Sequence, residues 1–198
     1  MKTYFECIPC FIRQALDAVR RVTEDEAVHE KVLREVLRAA ARMDLGDSPP
    51  AMAQRLHRVI RKITGQEDPY RKAKDASNRS ALEMYPHLKQ CVDRSPRPLE
   101  TAVRLAIAGN IIDLGVKTHL GEPDIHKAVR DAFRLPLPQA SLDEFDRAVQ
   151  KAESIMYIGD NAGEVVFDRL LVEQLAAEKV TFVVRGGPII NDATMLDA

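Results

Sequence analysis

Apolar residues recur at helical spacing through the first three quarters of the chain, and the period changes once, near residue 152. In "FIRQALDAVRRV" the residues Phe11, Ile12, Ala15, Leu16, Val19 and Val22 share one face. Thr23, followed three positions later by Glu26, reads as a capping box opening a second helix. That helix would carry Val28, Val32, Leu33, Val36, Leu37 and Ala40 on one face. Ser48 and Pro49 signal a third start, Met52, Leu56, Val59, Ile60 and Ile63 give its stripe, and Gly65 can supply its stop. Asp68 and Pro69 open a segment expected to run to Tyr85, where Pro86 should interrupt it. "LETAVRLAIAGNIIDLGV" looks buried on most sides, "LPLPQ" is a connector, and Ser141 with Glu144 forms another capping box. Residues 1–150 therefore read as an α-helical subdomain.

From residue 151 the pattern becomes strand, helix, strand. "SIMYIG" is a short apolar run closed by a turn, "EVVFDRLLVEQLAAE" is helical, and "VTFVV" is β-branched and apolar. This is the βαβ unit of a parallel sheet, so residues 151–198 read as the start of a Rossmann-like α/β domain. The fold class is α/β, α+β overall. Ligands of open α/β sheets bind beyond the carboxyl ends of the strands. Asp160 and Asn161 fall at the first such end; Arg185, Asn191 and Asp192 follow the second.

Two strands alone make a marginal sheet, since three or more are needed for independent stability. The expectation is a truncated product or excised fragment, with an exposed sheet edge that invites homo-oligomerisation.

Composition narrows the classes of function. The chain has 198 residues, 45% of them hydrophobic and 30% charged, with a formal net charge of −1. Interspersed charges of both signs give no field for nucleic acid or membrane. The basic residues of "RLHRVIRKITG" alternate with a core stripe and read as a solvated face. No apolar run approaches the length of a membrane span, and "MKTYFECIPC" lacks a signal peptide's apolar core, so a cytoplasmic location is expected. Three cysteines argue against a disulfide framework. Cys7 and Cys10 form a Cys-x-x-Cys, read as half of a zinc site or a redox pair; the plainer alternative is two small side chains packing near a helix start.

The candidate chemistry lies in the turns after the strands. Asp160, Asn161 and Asp192 offer only oxygen donors, a set suited to Mg²⁺ or Mn²⁺ with room left for a phosphate oxygen. Gly186 and Gly187 let backbone amides approach an anion, and Arg185 supplies positive charge. Glu164 is placed to orient a ligand or act as a base. The alternative for "GDNAGE" is a plain strand-to-helix turn capped by Asp or Asn. Tyr70, Lys74, Ser77 and Asn78 share roughly one helical face, either toward substrate or as a polar inter-helix face.

"GDNAGEVVFD" with "VVRGGPIINDAT" resembles the metal-binding core of the damage-control phosphatases, metal-dependent enzymes that hydrolyse phosphorylated metabolites including sugar phosphates. "ECIPCFIRQALDAVR", "DPYRKAKDASNRSALEMYPHLK" and "AVRLAIAGNIIDLG" are similar to the prokaryotic branch with an N-terminal Cys-x-x-Cys. The resemblance covers essentially the whole chain. It implies Asp160, Asn161 and Asp192 as ligands of Mn²⁺ or Mg²⁺, with Co²⁺ or Ni²⁺ as further options. By the same resemblance Asn110 and Asp113 of "GNIID" stand where the family's helical part meets substrate; Asp160 and Glu164 are the candidate catalytic groups, with direct water attack and an Asp160 nucleophile both open. Family members continue through further strands and helices, one bearing a lysine like a phosphate-binding group that has no counterpart here. The expected function is a metal-dependent phosphatase for a small phosphorylated metabolite; the alternative is a helical interaction module or phosphometabolite binder without turnover.

Overall fold

The computed structural model describes residues 2–112 and 122–198, which form two compact units. The first comprises Met1–Lys72 with Pro188–Ile190, and the second Ala73–Gly187 with Asn191–Ala198. The change at residue 151 is thus one of secondary structure, while the compact units divide within the first turn of a helix.

The first unit packs α1 (Cys7–Val22), α2 (Glu26–Ala41) and α3 (Pro49–Thr64) around Phe11, Val19, Val32, Val36, Met52 and Ile60. The α2 cap is Asp25, whose carboxylate accepts from Ala27 N; Thr23 Oγ1 instead accepts from Asp25 N. A carboxylate one position from the helix reaches its first free amides more directly than the threonine two positions earlier. Gly65 closes α3 in the left-handed region at φ 69°. Arg55, Arg58 and Lys62 are exposed, as a solvated face requires, whereas half-buried Arg61 donates to Pro188 O at 3.2 Å. His57 is buried with its ring 5.9 Å from Tyr70, and Arg21 lies over the same Tyr70 ring at 4.9 Å.

In the second unit, α4 (Arg71–Asp93) runs straight through Pro86 rather than ending before it. Ala81, Leu88 and Val92 lie in one core on both sides of the proline, so burial of a single stripe outweighs the lost amide bond. Next come α5 (Pro98–Ile112), α6 (Glu122–Arg134) and α7 (Gln139–Lys151). Helix α7 starts two residues before the Ser141 cap expected from the sequence, with Pro138 in the cap position. Arg104 on α5 donates to Ala132 O at 3.1 Å and Leu135 O at 2.6 Å, neutralising carbonyls at the end of α6.

Strands β1 (Ile155–Ile158) and β2 (Val180–Val183) pair in parallel, Ile155 opposite Val180 and Ile158 opposite Val183. Helix α8 (Glu164–Val172) connects them, shorter than its apolar pattern suggests, followed by a single 3-10 turn at Ala177–Lys179. The structure is therefore mostly helical with a small two-stranded parallel sheet. One face of the sheet carries Tyr157 stacked on Phe182, packed into the core with Phe167 and Leu170 of α8. The other face leaves Met156 and Ile158 more than two-thirds exposed. Helices α5 and α8 approach closely at Gly109, where a Cβ would stand 2.8 Å from Phe167 Cβ. Among the described residues, no helix is long and apolar enough to cross a membrane.

Candidate active site

The turns after β1 and β2 are joined by backbone bonds. Asn161 and Asp192 form an antiparallel bridge, with Ala162 N donating to Asn191 O at 2.9 Å and Ala193 N to Asp160 O at 2.7 Å. Arg185 N reaches Ala193 O at 2.9 Å, adding a second bridge between Arg185 and Thr194. Amides along this stretch thus hold Asp160, Asn161, Asp192 and Arg185 in one cluster at the carboxyl ends of the strands. The neighbouring Ile190 has φ 47°, a left-handed value that a β-branched side chain adopts only when its surroundings impose it.

Side chains complete the cluster. Glu164, buried in the first turn of α8, accepts from Asn161 Nδ2 through one oxygen and Asn110 Nδ2 through the other, both at 3.0 Å. With its amino group spent on Glu164, the Asn161 amide keeps Oδ1 on the opposite side as an acceptor. Arg185 Nε donates to Asp192 Oδ2 at 2.6 Å. Burial pushes the Asp192 carboxyl up, the pull of Arg185 opposes it, and the nearby Asp160 charge adds to the rise. Two carboxylates and an amide oxygen, with like charges disfavouring ionisation of Asp192, fit a hard divalent cation.

Several expectations fare differently. Gly186 and Gly187 have ordinary φ, and a Cβ at either would meet nothing within 4 Å, so packing does not demand glycine there. Asp113 lies outside the described residues. Cys7 is half-buried against the first unit's core and Cys10 is exposed; both are free thiols. Among the described residues no group of three or more His, Cys, Asp or Glu is arranged to hold a metal, at these cysteines or elsewhere. The oxygen cluster above contains two carboxylates, Asp160 and Asp192, and the amide of Asn161.

Two features escaped the sequence reading. Lys74 of α4, named there as facing either substrate or a polar inter-helix surface, is fully buried and reaches the carbonyl of Asp192. Behind the sheet, Tyr157 donates its hydroxyl to buried Asp168 at 2.6 Å. Burial pushes Asp168 up to about 7; the Tyr157 bond opposes this, while Glu164 and Asp160 reinforce it. An Asp four residues into a helical apolar stripe was the available signal, since a carboxyl there must be satisfied from another element.

A parallel βαβ unit with an acidic, oxygen-donor cluster beyond its strands, attached to helices, places the chain in the mixed α/β class. The chain belongs to the damage-control phosphatase ARMT1-like family, whose domain matches residues 3–198. It is 34% identical over 199 residues to a damage-control phosphatase of Archaeoglobus fulgidus, covering 97% of this chain and 67% of that protein. Similarity to a damage-control phosphatase of Pyrococcus horikoshii is 30% over 203 residues, 100% of this chain and 68% of that one. An uncharacterized protein of Methanocaldococcus jannaschii is 32% identical over 200 residues, 98% of this chain and 65% of that protein. The crystal structure of a DUF89 family protein from Pyrococcus horikoshii matches with a TM-score of 0.81 at 30% identity, covering 100% of this chain and 69% of that one. The chain thus spans about two thirds of the length of these relatives.

Proposed function

We propose that this chain carries the cation- and phosphate-binding part of a metal-dependent phosphatase acting on a small phosphorylated metabolite, such as a sugar phosphate. The observation that carries this reading is the backbone bridge between Asn161 and Asp192, which gathers two carboxylates and an amide oxygen at the strand ends. Family membership supports the same class of reaction. Asp160, Asn161 and Asp192 would hold the cation, Mn²⁺ or Mg²⁺ first and Co²⁺ or Ni²⁺ as alternatives. When bound, it supplies Lewis-acid polarisation of a phosphoryl oxygen. Arg185, exposed and already against Asp192, can turn its remaining guanidinium N–H groups to the phosphate. Asn110 is exposed beside Glu164 and can face the substrate, while Glu164 fixes the ligand amide of Asn161. Asp160, also exposed, is the carboxylate assigned to act on an attacking water or on phosphorus directly.

Hydrolysis of p-nitrophenyl phosphate and a sugar-phosphate panel tests the reading, run with EDTA and then with each of the four metals. Activity should return with metal and vanish in both Asp160→Asn and Asp192→Asn. Full activity in either variant sinks it, and silence under every metal leaves the phosphometabolite-binding alternative.

A further inference from the structure

Behind the two acidic turns lies a buried polar group that the proposed reaction does not use. The side chains of Lys74 and Asp197 are both fully buried, 3.4 Å apart between Nζ and Oδ2. Lys74 Nζ also lies 3.4 Å from the backbone carbonyl of Asp192. Asp197 Oδ2 accepts from Thr194 N at 2.9 Å and Thr194 Oγ1 at 2.8 Å, and Asp197 Oδ1 from Asn78 Nδ2 at 2.9 Å. Asn78 Oδ1 in turn accepts from Gly163 N at 2.6 Å. One continuous chain of contacts therefore runs from Gly163 through Asn78, Asp197 and Lys74 to Asp192. Its two ends are the two halves of the site: Gly163 stands between Asn161 and Glu164 at φ 83°, a value glycine tolerates, and Asp192 is itself a candidate ligand.

Burying an ammonium and a carboxylate costs several kcal/mol per ion, and their attraction repays it only with good geometry. An apolar pair would fill the same volume as well or better. What the ions add is direction, since each bonded atom has one place to be.

We propose that Lys74 and Asn78 of α4 and Asp197 are positioning residues, a clamp that sets the spacing of the Asn161 and Asp192 turns and so the affinity for a divalent cation. This rests on the metal reading above. The clamp acts through Gly163 N and Asp192 O, away from the ligand atoms themselves.

The test measures Mn²⁺ affinity of the full chain by calorimetry, with thermal unfolding in EDTA as a separate record of stability. Asn78→Asp sets two carboxylates against each other, and Asp197→Asn removes the charge facing Lys74. Each should weaken Mn²⁺ binding about tenfold or more, the usual effect of losing a group that orients ligands. The exchange Asn78→Asp with Asp197→Asn restores both the hydrogen bond and the net charge, and should recover most of the affinity. Thr194→Val, which removes one hydroxyl donor to Asp197, should weaken Mn²⁺ binding in the same direction but by less than the two carboxylate-changing variants. Wild-type affinity in the single variants, with only the unfolding temperature lowered, would overturn the clamp alone. A wild-type chain that binds Mn²⁺ no better than Asp160→Asn would sink the metal reading and the clamp with it.

Discussion

Asn161 and Glu164 are joined side chain to side chain at 3.0 Å across the first turn of α8, and that bond fixes which atom of the asparagine faces outward. The other oxygen of Glu164 accepts from Asn110 Nδ2 at 3.0 Å, so one carboxylate holds both amides. Glu164→Gln keeps the shape but can accept only one of the two amides, and its own amino group must face the other. Mn²⁺ affinity should fall about tenfold, and any phosphatase activity with it at subsaturating metal. Equal affinity in wild type and variant would show that Glu164 does not orient Asn161.

The approach of α5 to α8 makes a second prediction. At Gly109 an added methyl would meet Phe167 Cβ at 2.8 Å, a distance that real Cβ atoms essentially never show. Phe167 is fully buried and its Cβ is tied to the backbone, so it cannot swing aside. Gly109→Ala gains up to about 1 kcal/mol in helix propensity. Overpacking costs about 1–3 kcal/mol, so the net effect should be a loss visible as a lower urea midpoint. A variant as stable as wild type would mean that α5 shifts freely on α8.

The sequence made much of this legible, and where it failed the reason is distance along the chain. The strands and α8 follow from short apolar runs closed by turns, and strand ends locate the acidic residues without further help. Pro86 misleads because a local rule, the missing amide, competes with a core stripe that only the folded chain reveals. The Ser141 box misleads similarly, since Gln139 bonds both Arg97 and Asp143 and extends the helix backward. The clamp is the extreme case: Lys74 and Asp197 are 123 positions apart, and no periodicity couples them. Asp197 left a faint local trace in its spacing from Thr194, whose backbone N–H it accepts.

The sheet's uncovered face carries a prediction about association. Met156 is 71% and Ile158 73% exposed on β1, opposite the side that buries Tyr157. Parallel sheets are normally covered on both faces, so these side chains should drive self-association of this chain. Light scattering at rising concentration should show dimers or larger species, and Met156→Lys with Ile158→Lys should return a monomer. Monomeric wild type at every concentration removes this face as an interface.

Asp168 gives the pH dependence. Burial raises its carboxyl from 3.8 to about 7, even though the hydroxyl of Tyr157 bonds it at 2.6 Å. The folded chain therefore keeps the proton through a range in which the unfolded chain has lost it. Stability contributed by this group is fully present below about pH 4 and is lost as pH rises through the window up to about 7. Above that the carboxylate sits ionised in the core at a cost on the order of 4 kcal/mol. Asn at this position offers Tyr157 the same acceptor without the charge, so Asp168→Asn should match wild type in acid and exceed it above pH 7. Urea unfolding in EDTA at pH 4.5, 6 and 8 measures the difference, which should widen at each step. A constant difference would place the Asp168 carboxyl in the ordinary range. A difference that narrowed with pH would make the ionised form the one the fold prefers, held by Tyr157 as a charge-assisted bond.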